Sequence, residues 1–516
     1  MHSSVTAQVP AIRDPLPERR FLWATICLLT LITLAGMFIR LRDLHQVSLS
    51  LSIDEARLVL VARGIQDQGW PVLPSGKVYT RGLPVALSIA PNLSLFGDSD
   101  FAARLPSVLF GTLLIPIVAV HAGRLGGFGA AFIAGGLVAL YPPLIFWSRQ
   151  AWFFSLFVLL WMLTLLGLNL ALTKRSSAAL MLAALATGVG LLTHELFLTL
   201  LPCWALTVIW LLRQTMSGAE RARLLLLPVA TVLVGLAALA SFTLTHRVDT
   251  LAGRMGEVTE YLTLNTDLAG FRFYGRMLTD RYWLLLAAAI AGLALQFRPE
   301  RLTLAVAIIP LFIIDAFVLP DRPQERYGLA LVPPMMILAA TGLTDLTTIV
   351  RLRFSGLIGT IGAMILLLGV PLIHLDLVGV ARRTEVQRAN GTWMNDLQRM
   401  GYRPGDVVVT DIPTITQAYL GRTDYWLVSR DYEKYTYRPN GDPREIHTNA
   451  RLIRSAAELE MALGQDLSGQ TVWVVGSDRS YQWQELVDRN LKRAIDDRSV
   501  DRLQSADSTR LFRLQP

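Results

Sequence analysis

Apolar stretches of bilayer-crossing length recur along most of this chain, and they decide its architecture before any single residue is considered. They run at about Phe21–Ile39, Leu105–Ala122, Phe128–Phe146, Trp152–Thr173, Ser177–Thr193, Leu196–Leu212, Leu224–Leu244, Tyr282–Phe297, Leu302–Leu319, Tyr327–Leu343 and Ser355–His374, which makes about eleven spans. The composition agrees: 53% of the 516 residues are hydrophobic and only 17% charged, far from the balance of a soluble domain. The expected fold class is a polytopic α-helical membrane protein. The pair of short runs either side of His194 is also compatible with one re-entrant hairpin.

The net charge of +8 does not form the basic stripe of a nucleic-acid binder, and no nucleic-acid partner is expected. The basic residues instead mark topology. With a cytoplasmic N-terminal tail carrying Arg13, Arg19 and Arg20, one set of loops holds Arg124, Lys174 and Arg175, Arg213 to Arg223, Arg298 and Arg301, and Arg351 and Arg353. The opposite loops hold Asp54 and Glu55, Gln150, His194 and Glu195, Asp249–Asp280 and Asp321–Arg326. The acids therefore gather on the exterior face, and an odd number of spans places the C-terminus there. The first run is long for a signal peptide and lacks a small-residue cleavage site, so it reads as an anchor. Arg and Ala are frequent and Lys rare, a usage that points to a high-GC bacterial genome, and the expected location is the bacterial cytoplasmic membrane. Cys27 and Cys203 both lie in apolar runs, which excludes a disulfide framework.

Two domains are expected: a transmembrane unit over 1–374 and a soluble exterior α/β domain over 375–516. In the second, Val407–Val409, Trp426–Val428, Val472–Val475 and Leu511–Leu514 read as short buried strands between helical patterns at Ala456–Leu463 and Gln482–Ala494, the pattern of a small parallel or mixed sheet. No phosphate-binding glycine loop is present, so nothing there suggests a nucleotide. The first exterior loop, 40–104, is long. Leu58, Val61, Ala62 and Ile65 recur at helical spacing after Asp54, as for a helix lying in the membrane interface, and a second helical segment runs from Leu83 to Phe96.

Transfer of a sugar from a lipid phosphate needs little from a protein. The leaving group is a stable anion, so no general acid is required; one carboxylate must take the acceptor's proton and cations must hold the phosphate. The first loop offers both: Asp54 as base beside Glu55, and Arg57, Lys77, Arg81 and Arg104 as phosphate partners. The bland alternative for Asp54-Glu55 is a first-turn acid pair on the following helix. Arg326, Arg104 and Arg149 have the alternative of snorkelling at span ends. His194 and Glu195 read either as a charged turn or as a metal or substrate contact; a divalent cation is conceivable, but no spaced ligand set supports a resident zinc. Asp315, inside an apolar run, is either near the surface or part of a lipid cavity. Trp152-Phe153-Phe154 reads as an aromatic belt before a sugar-stacking platform.

Over about sixty residues the series Asp54-Glu55-Ala56-Arg57, Tyr79-Thr80-Arg81-Gly82-Leu83-Pro84, Leu95-Phe96-Gly97 and Phe101-Ala102-Ala103-Arg104-Leu105-Pro106-Ser107 resembles the first-loop signature of GT-C glycosyltransferases. The nearest branches are the protein O-mannosyltransferases and the aminoarabinose transferase that modifies lipid A. Glu325-Arg326-Tyr327 ahead of Pro333-Pro334 resembles a second landmark. The resemblance implies inverting transfer from a polyprenyl-phosphate-linked sugar to a lipid, glycan or protein acceptor, with Asp54 as base, Arg81 near the donor phosphate and Arg326-Tyr327 at the cavity mouth. The chain departs from the pattern Ser-Arg-Glu-Ala-Arg-x-Tyr at Ser148-Arg149-Gln150-Ala151-Trp152-Phe153-Phe154, where Gln150 replaces the acid; Glu195 is a candidate replacement. Competing classes are a transporter or flippase, for which paired broken spans are not evident, and a non-catalytic binder of polyprenyl lipid.

Overall fold

A computed structural model describes residues 16–44, 51–214, 217–220, 268–317, 326–349, 392–430, 432–477, 482–505 and 509–514, with 222 and 226. The runs expected at 224–244 (apart from Leu226) and 355–374, the boundary at 374/375 and Glu325 lie outside them.

The membrane part comprises α1 (Leu16–Leu41), α2 (Ile53–Gln68), α3 (Leu83–Phe96), α4 (Asp100–Leu140), α5 (Pro142–Ser148), α6 (Phe154–Lys174), α7 (Ser177–Thr193), α8 (Leu201–Arg213), α9 (Ala269–Arg276), α10 (Trp283–Leu295), α11 (Pro299–Phe317) and α12 (Val332–Ile349). Among the described residues, four helical segments are long and apolar enough to cross a membrane by themselves: Asp100–Leu140, Phe154–Lys174, Glu195–Arg213 and Tyr327–Leu346. A fifth arises if Ala269–Asp280 and Trp283–Leu295, which meet at 84°, form one broken span. The 41-residue α4 is two helices merged across Gly127, whose φ of 77° is open to glycine at no steric cost. That break separates the two runs read there from the sequence.

The helices pack through small residues, as expected where lipid competes for every larger apolar side chain. A Cβ added at Gly292 of α10 would meet the Leu338 carbonyl oxygen of α12 at 2.0 Å. Arg40 of α1, fully buried, donates to the Val138 and Ala139 carbonyl oxygens at 3.0 and 3.1 Å. It thereby satisfies groups that the end of α4 leaves open. Asp315 is buried in α11, and neither of its oxygens is hydrogen-bonded among the described residues. On α9, Phe273 is exposed while Tyr274 is buried.

The C-terminal part contains α13 (Thr392–Arg399), α14 (Pro413–Leu420), α15 (Ala456–Met461), α16 (Arg489–Arg498) and strands β1 (Val407–Thr410), β2 (Tyr425–Leu427), β3 (Thr436–Tyr437), β4 (Arg444–Glu445), β5 (Arg451–Ile453), β6 (Val472–Ser477), β7 (Ser499–Gln504) and β8 (Thr509–Leu514). They form one sheet in the order β3-β4-β5-β2-β1-β6-β8-β7. The centre, β5-β2-β1-β6, is parallel and the edges are antiparallel. Val407, Val409, Val472 and Val474 are buried with Leu491 and Ile495 of α16.

This domain rests on the first loop. Ala418 of α14 joins the apolar core that holds α2, and Arg63 of α2 donates to the Ala418 carbonyl oxygen at 2.7 Å. A two-residue bridge, Val72 with Val78, makes a hairpin of the segment between α2 and α3; Ser75 at its tip donates through Oγ to the Ile446 carbonyl oxygen at 2.6 Å. Leu58, Val61 and Ala62 are fully buried. The apolar face of α2 therefore meets protein rather than the interfacial lipid its spacing suggested.

The tight α10–α12 approach makes a prediction. Gly292→Ala should cost about 1–3 kcal/mol through overpacking and lower the thermal midpoint of the purified protein. Gly188→Ala in α7, where no atom lies within 4 Å of the added Cβ, should leave the midpoint unchanged or raise it slightly.

Candidate active site

The site begins with how α2 starts. Ser52 accepts through Oγ from the Glu55 N–H at 3.3 Å, and Glu55 accepts through Oε2 from the Ser52 N–H at 2.9 Å. This reciprocal pair is a capping box. Successive residues of a helix point about 100° apart, so with Glu55 turned into the protein, Asp54 faces elsewhere.

Glu55 is 1% exposed. Its Oε1 accepts from Arg104 Nε at 3.0 Å and from the Ala151 N–H at 2.8 Å. The Gln150 amide, oriented to donate, reaches Oε2 at 2.9 Å. Two expectations change on this point. Glu55 is not half of a catalytic pair: it takes the first-turn role that was the bland reading of the Asp-Glu motif. Arg104 is not a phosphate partner, because its fully buried guanidinium lies between Glu55 and Asp100, the latter at 3.8 Å.

Asp54 has the opposite surroundings. Its carboxylate is 30% exposed, with Oδ2 3.0 Å from Arg326 Nη1 and Oδ1 3.6 Å from Arg57 Nη1. Each arginine nearby rests on an aromatic ring: Arg57 over Tyr79 at 5.7 Å, Arg81 over Phe153 at 6.0 Å, and Arg326 over Phe154 at 5.7 Å and Tyr327 at 5.4 Å. Such stacking fixes a guanidinium plane while leaving its N–H groups available. Burial works against the charge on Arg57, but Tyr79 and Asp54 outweigh it and raise its pKa. Burial likewise opposes the charge on Arg81, and Glu195, Tyr79 and Tyr327 raise its pKa above the ordinary value. Both groups are thus firmly cationic.

Arg81 sits at the start of α3, where Gly82 adopts φ +69° and a Cβ would press on Phe153 at 3.2 Å. Its Nη2 lies 2.8 Å from His194 Nε2 and 3.2 Å from Glu195 Oε1. His194 interrupts the α7–α8 pair in extended backbone and accepts through Nδ1 from the Leu196 N–H at 3.1 Å. Its ring packs against Phe153 and Tyr327. Trp152, Phe153 and Phe154 are 4% exposed or less, so they are a buried wall beneath the arginines rather than a membrane-interface belt.

Asp54, Arg57, Arg81, His194, Glu195, Arg326 and Tyr327 therefore come together from α2, the α3 entrance, the α7–α8 break and the α12 entrance. Gln150 lies behind them as a donor to Glu55. Arg149 stands apart: its Nη2 donates to the Arg42 carbonyl oxygen at 2.5 Å, closing the end of α1. Lys77 is exposed on the hairpin beside the C-terminal domain, close enough to His447 to help lower that imidazole's pKa, after burial and Arg57. Among the described residues, no three His, Cys, Asp or Glu side chains converge on a metal-sized site. The sequence did not single out Tyr79 as a site residue, although it stands two positions from Arg81 in the quoted motif, and it placed Phe153 in an aromatic belt or stacking platform rather than under Arg81.

The sequence of residues 82–246 matches the family model of dolichyl-phosphate-mannose-protein mannosyltransferases. Asp54 and Arg57 precede that match and Arg326 follows it. No curated protein sequence matches the chain. Among solved structures, ArnT from Cupriavidus metallidurans bound to undecaprenyl phosphate is similar, with a TM-score of 0.62 at 16% identity over 95% of this chain and 97% of that one. The archaeal oligosaccharyltransferase AglB from Archaeoglobus fulgidus, in complex with an inhibitory peptide and a dolichol-phosphate, gives 0.52 at 12% identity over 95% and 74%. The resemblance read from the first loop is thus joined by a family-model match over residues 82–246 and by a fold similar to those of ArnT and AglB.

Removing one partner of a buried pair leaves the other charge uncompensated. Glu55→Gln should therefore destabilise the protein by about 3 kcal/mol, measured by denaturant unfolding in micelles. An unchanged unfolding curve would show that Glu55 does not anchor the loop.

Proposed function

We propose that this chain, which has the fold of a GT-C glycosyltransferase, moves a sugar from a polyprenyl-phosphate carrier to an acceptor hydroxyl with inversion at the anomeric carbon. The observation that carries the reading is the half-exposed Asp54 carboxylate set between Arg57 and Arg326, with Arg81 nearby. The relatives in whose structures undecaprenyl phosphate and dolichol-phosphate are bound support a lipid phosphate as the donor's carrier. The acceptor belongs to the class of hydroxyl-bearing lipids, glycans or proteins.

Arg57, Arg81 and Arg326 present N–H groups to the phosphate, whose charge grows as the bond to the sugar breaks. Phosphate competes with Asp54 for Arg326, so donor binding frees the carboxylate to act. Asp54 then takes the proton of the acceptor hydroxyl as its oxygen bonds to the anomeric carbon. The carbon–phosphate oxygen bond breaks with its electron pair on the phosphate. The products are the glycosylated acceptor and the polyprenyl phosphate. Guanidiniums supply the positive charge in this scheme, and no resident metal is assigned a step.

The same reading sets about eleven spans in a bacterial cytoplasmic membrane, with the N-terminus inside. The site and the C-terminal domain then lie on the exterior face.

Asp54→Asn keeps shape and hydrogen bonding but cannot accept the proton. Transfer in membranes should fall by about two to four decades while undecaprenyl phosphate still binds; unchanged transfer removes Asp54 as the base. Arg81→Ala should weaken binding of undecaprenyl phosphate about tenfold, the scale of a lost charge-assisted contact. An effect confined to acceptor affinity would contradict the phosphate assignment.

A further inference from the structure

The side chain of Tyr419 carries the exterior domain to the start of α2. Tyr419 of α14 accepts at Oη from the Leu51 N–H at 2.6 Å and donates to the Asp100 carboxylate, whose oxygens lie at 2.9 and 3.0 Å. Asp100 Oδ2 is 3.8 Å from Arg104 Nη1, and Arg104 Nε is 3.0 Å from Glu55 Oε1. Glu55 is three residues into the helix that Ser52 caps. The contacts therefore close a ring that runs Leu51, Tyr419, Asp100, Arg104, Glu55 and back along the chain through Asp54. Asp54 is the member of that segment whose side chain faces away from the ring. Arg63 also faces this corner, paired with Asp98 at 2.7 Å.

We infer that Tyr419 is a positioning residue for Asp54, and that the exterior domain thereby completes the catalytic loop of the membrane domain. The inference rests on the proposed function for its kinetic consequence but not for its structural one. Tyr419 touches no reacting atom. Its hydroxyl supplies the acceptor that the Leu51 N–H, ahead of the first helical turn, would otherwise have to find in water, and it fixes the carboxylate that in turn faces Arg104. Burial, with Asp100 beside it, raises the phenol's pKa and keeps its proton available for donation. The ring of Tyr419 stands edge-on to Trp393 at 6.1 Å, so the domain's packing does not depend on the hydroxyl.

Tyr419→Phe keeps that packing and removes only the hydroxyl. Amide hydrogen exchange over 51–57 should quicken about tenfold, the scale of one hydrogen bond to a charged group. Turnover should fall by a similar factor with the KM for donor unchanged. Asp100→Asn, which keeps an acceptor for the phenol, should retain most of the protection. Ser75→Ala is the control, because it removes the separate contact to Ile446 and should leave exchange at 51–57 as in the parent. Wild-type exchange in Tyr419→Phe overturns the inference. Equal quickening in Tyr419→Phe and Ser75→Ala also overturns it, since the hydroxyl would then serve general docking. Absence of transfer by the parent protein defeats the proposed function, while the exchange result still decides the role of Tyr419.

Discussion

Glu55 and Arg104 form a fully buried ion pair, and the arrangement of the candidate site follows from how that pair is satisfied. A carboxylate out of reach of water is tolerable only when its lone pairs are met by donors. Here the Ser52 and Ala151 N–H groups, Arg104 and Gln150 meet them. Those donors belong to the entrance of α2, the second turn of α4 and the turn before α6. Fixing them together fixes where Asp54 and the aromatic wall can be.

The second consequence concerns charge. Arginines crowded near one another repel unless each is held by something other than solvent. Aromatic seats under Arg57, Arg81 and Arg326 hold each guanidinium, which lowers the ordering entropy lost when an anion binds. Asp54 neutralises part of that field in the meantime through its contact with Arg326. A carboxylate held this way is oriented by its contact with Arg326 and leaves that contact only when another anion takes its place.

Much of this was legible in the sequence, and what was not has identifiable causes. The runs of apolar residues located α4, α6, α8 and α12, and the expected segment Leu83–Phe96 is α3, because length and apolarity suffice for such elements. The four expected strands are present, while β3, β4 and β5 escaped notice because they are only two or three residues long, and β7 because it is an edge strand with only half-exposed or exposed residues and no apolar alternation. Asp54 and Glu55 are adjacent in sequence, and only tertiary context decides which faces inward. Gln150 read as a loss against the resembled pattern, yet it acts as a donor to a buried carboxylate, a role that depends on a residue 95 positions away. Tyr419 lies 319 residues from Asp100, and no local pattern announces a contact of that range.

A structure of the protein in a lipid nanodisc with undecaprenyl phosphate bound tests the central claim most directly. The account predicts phosphate oxygens within hydrogen-bonding distance of Arg326 and at least one of Arg57 and Arg81, with the Asp54 carboxylate released from Arg326. A phosphate seated among Arg124, Lys174 and Arg175 at the opposite face, with the Asp54–Arg326 contact intact, would contradict it.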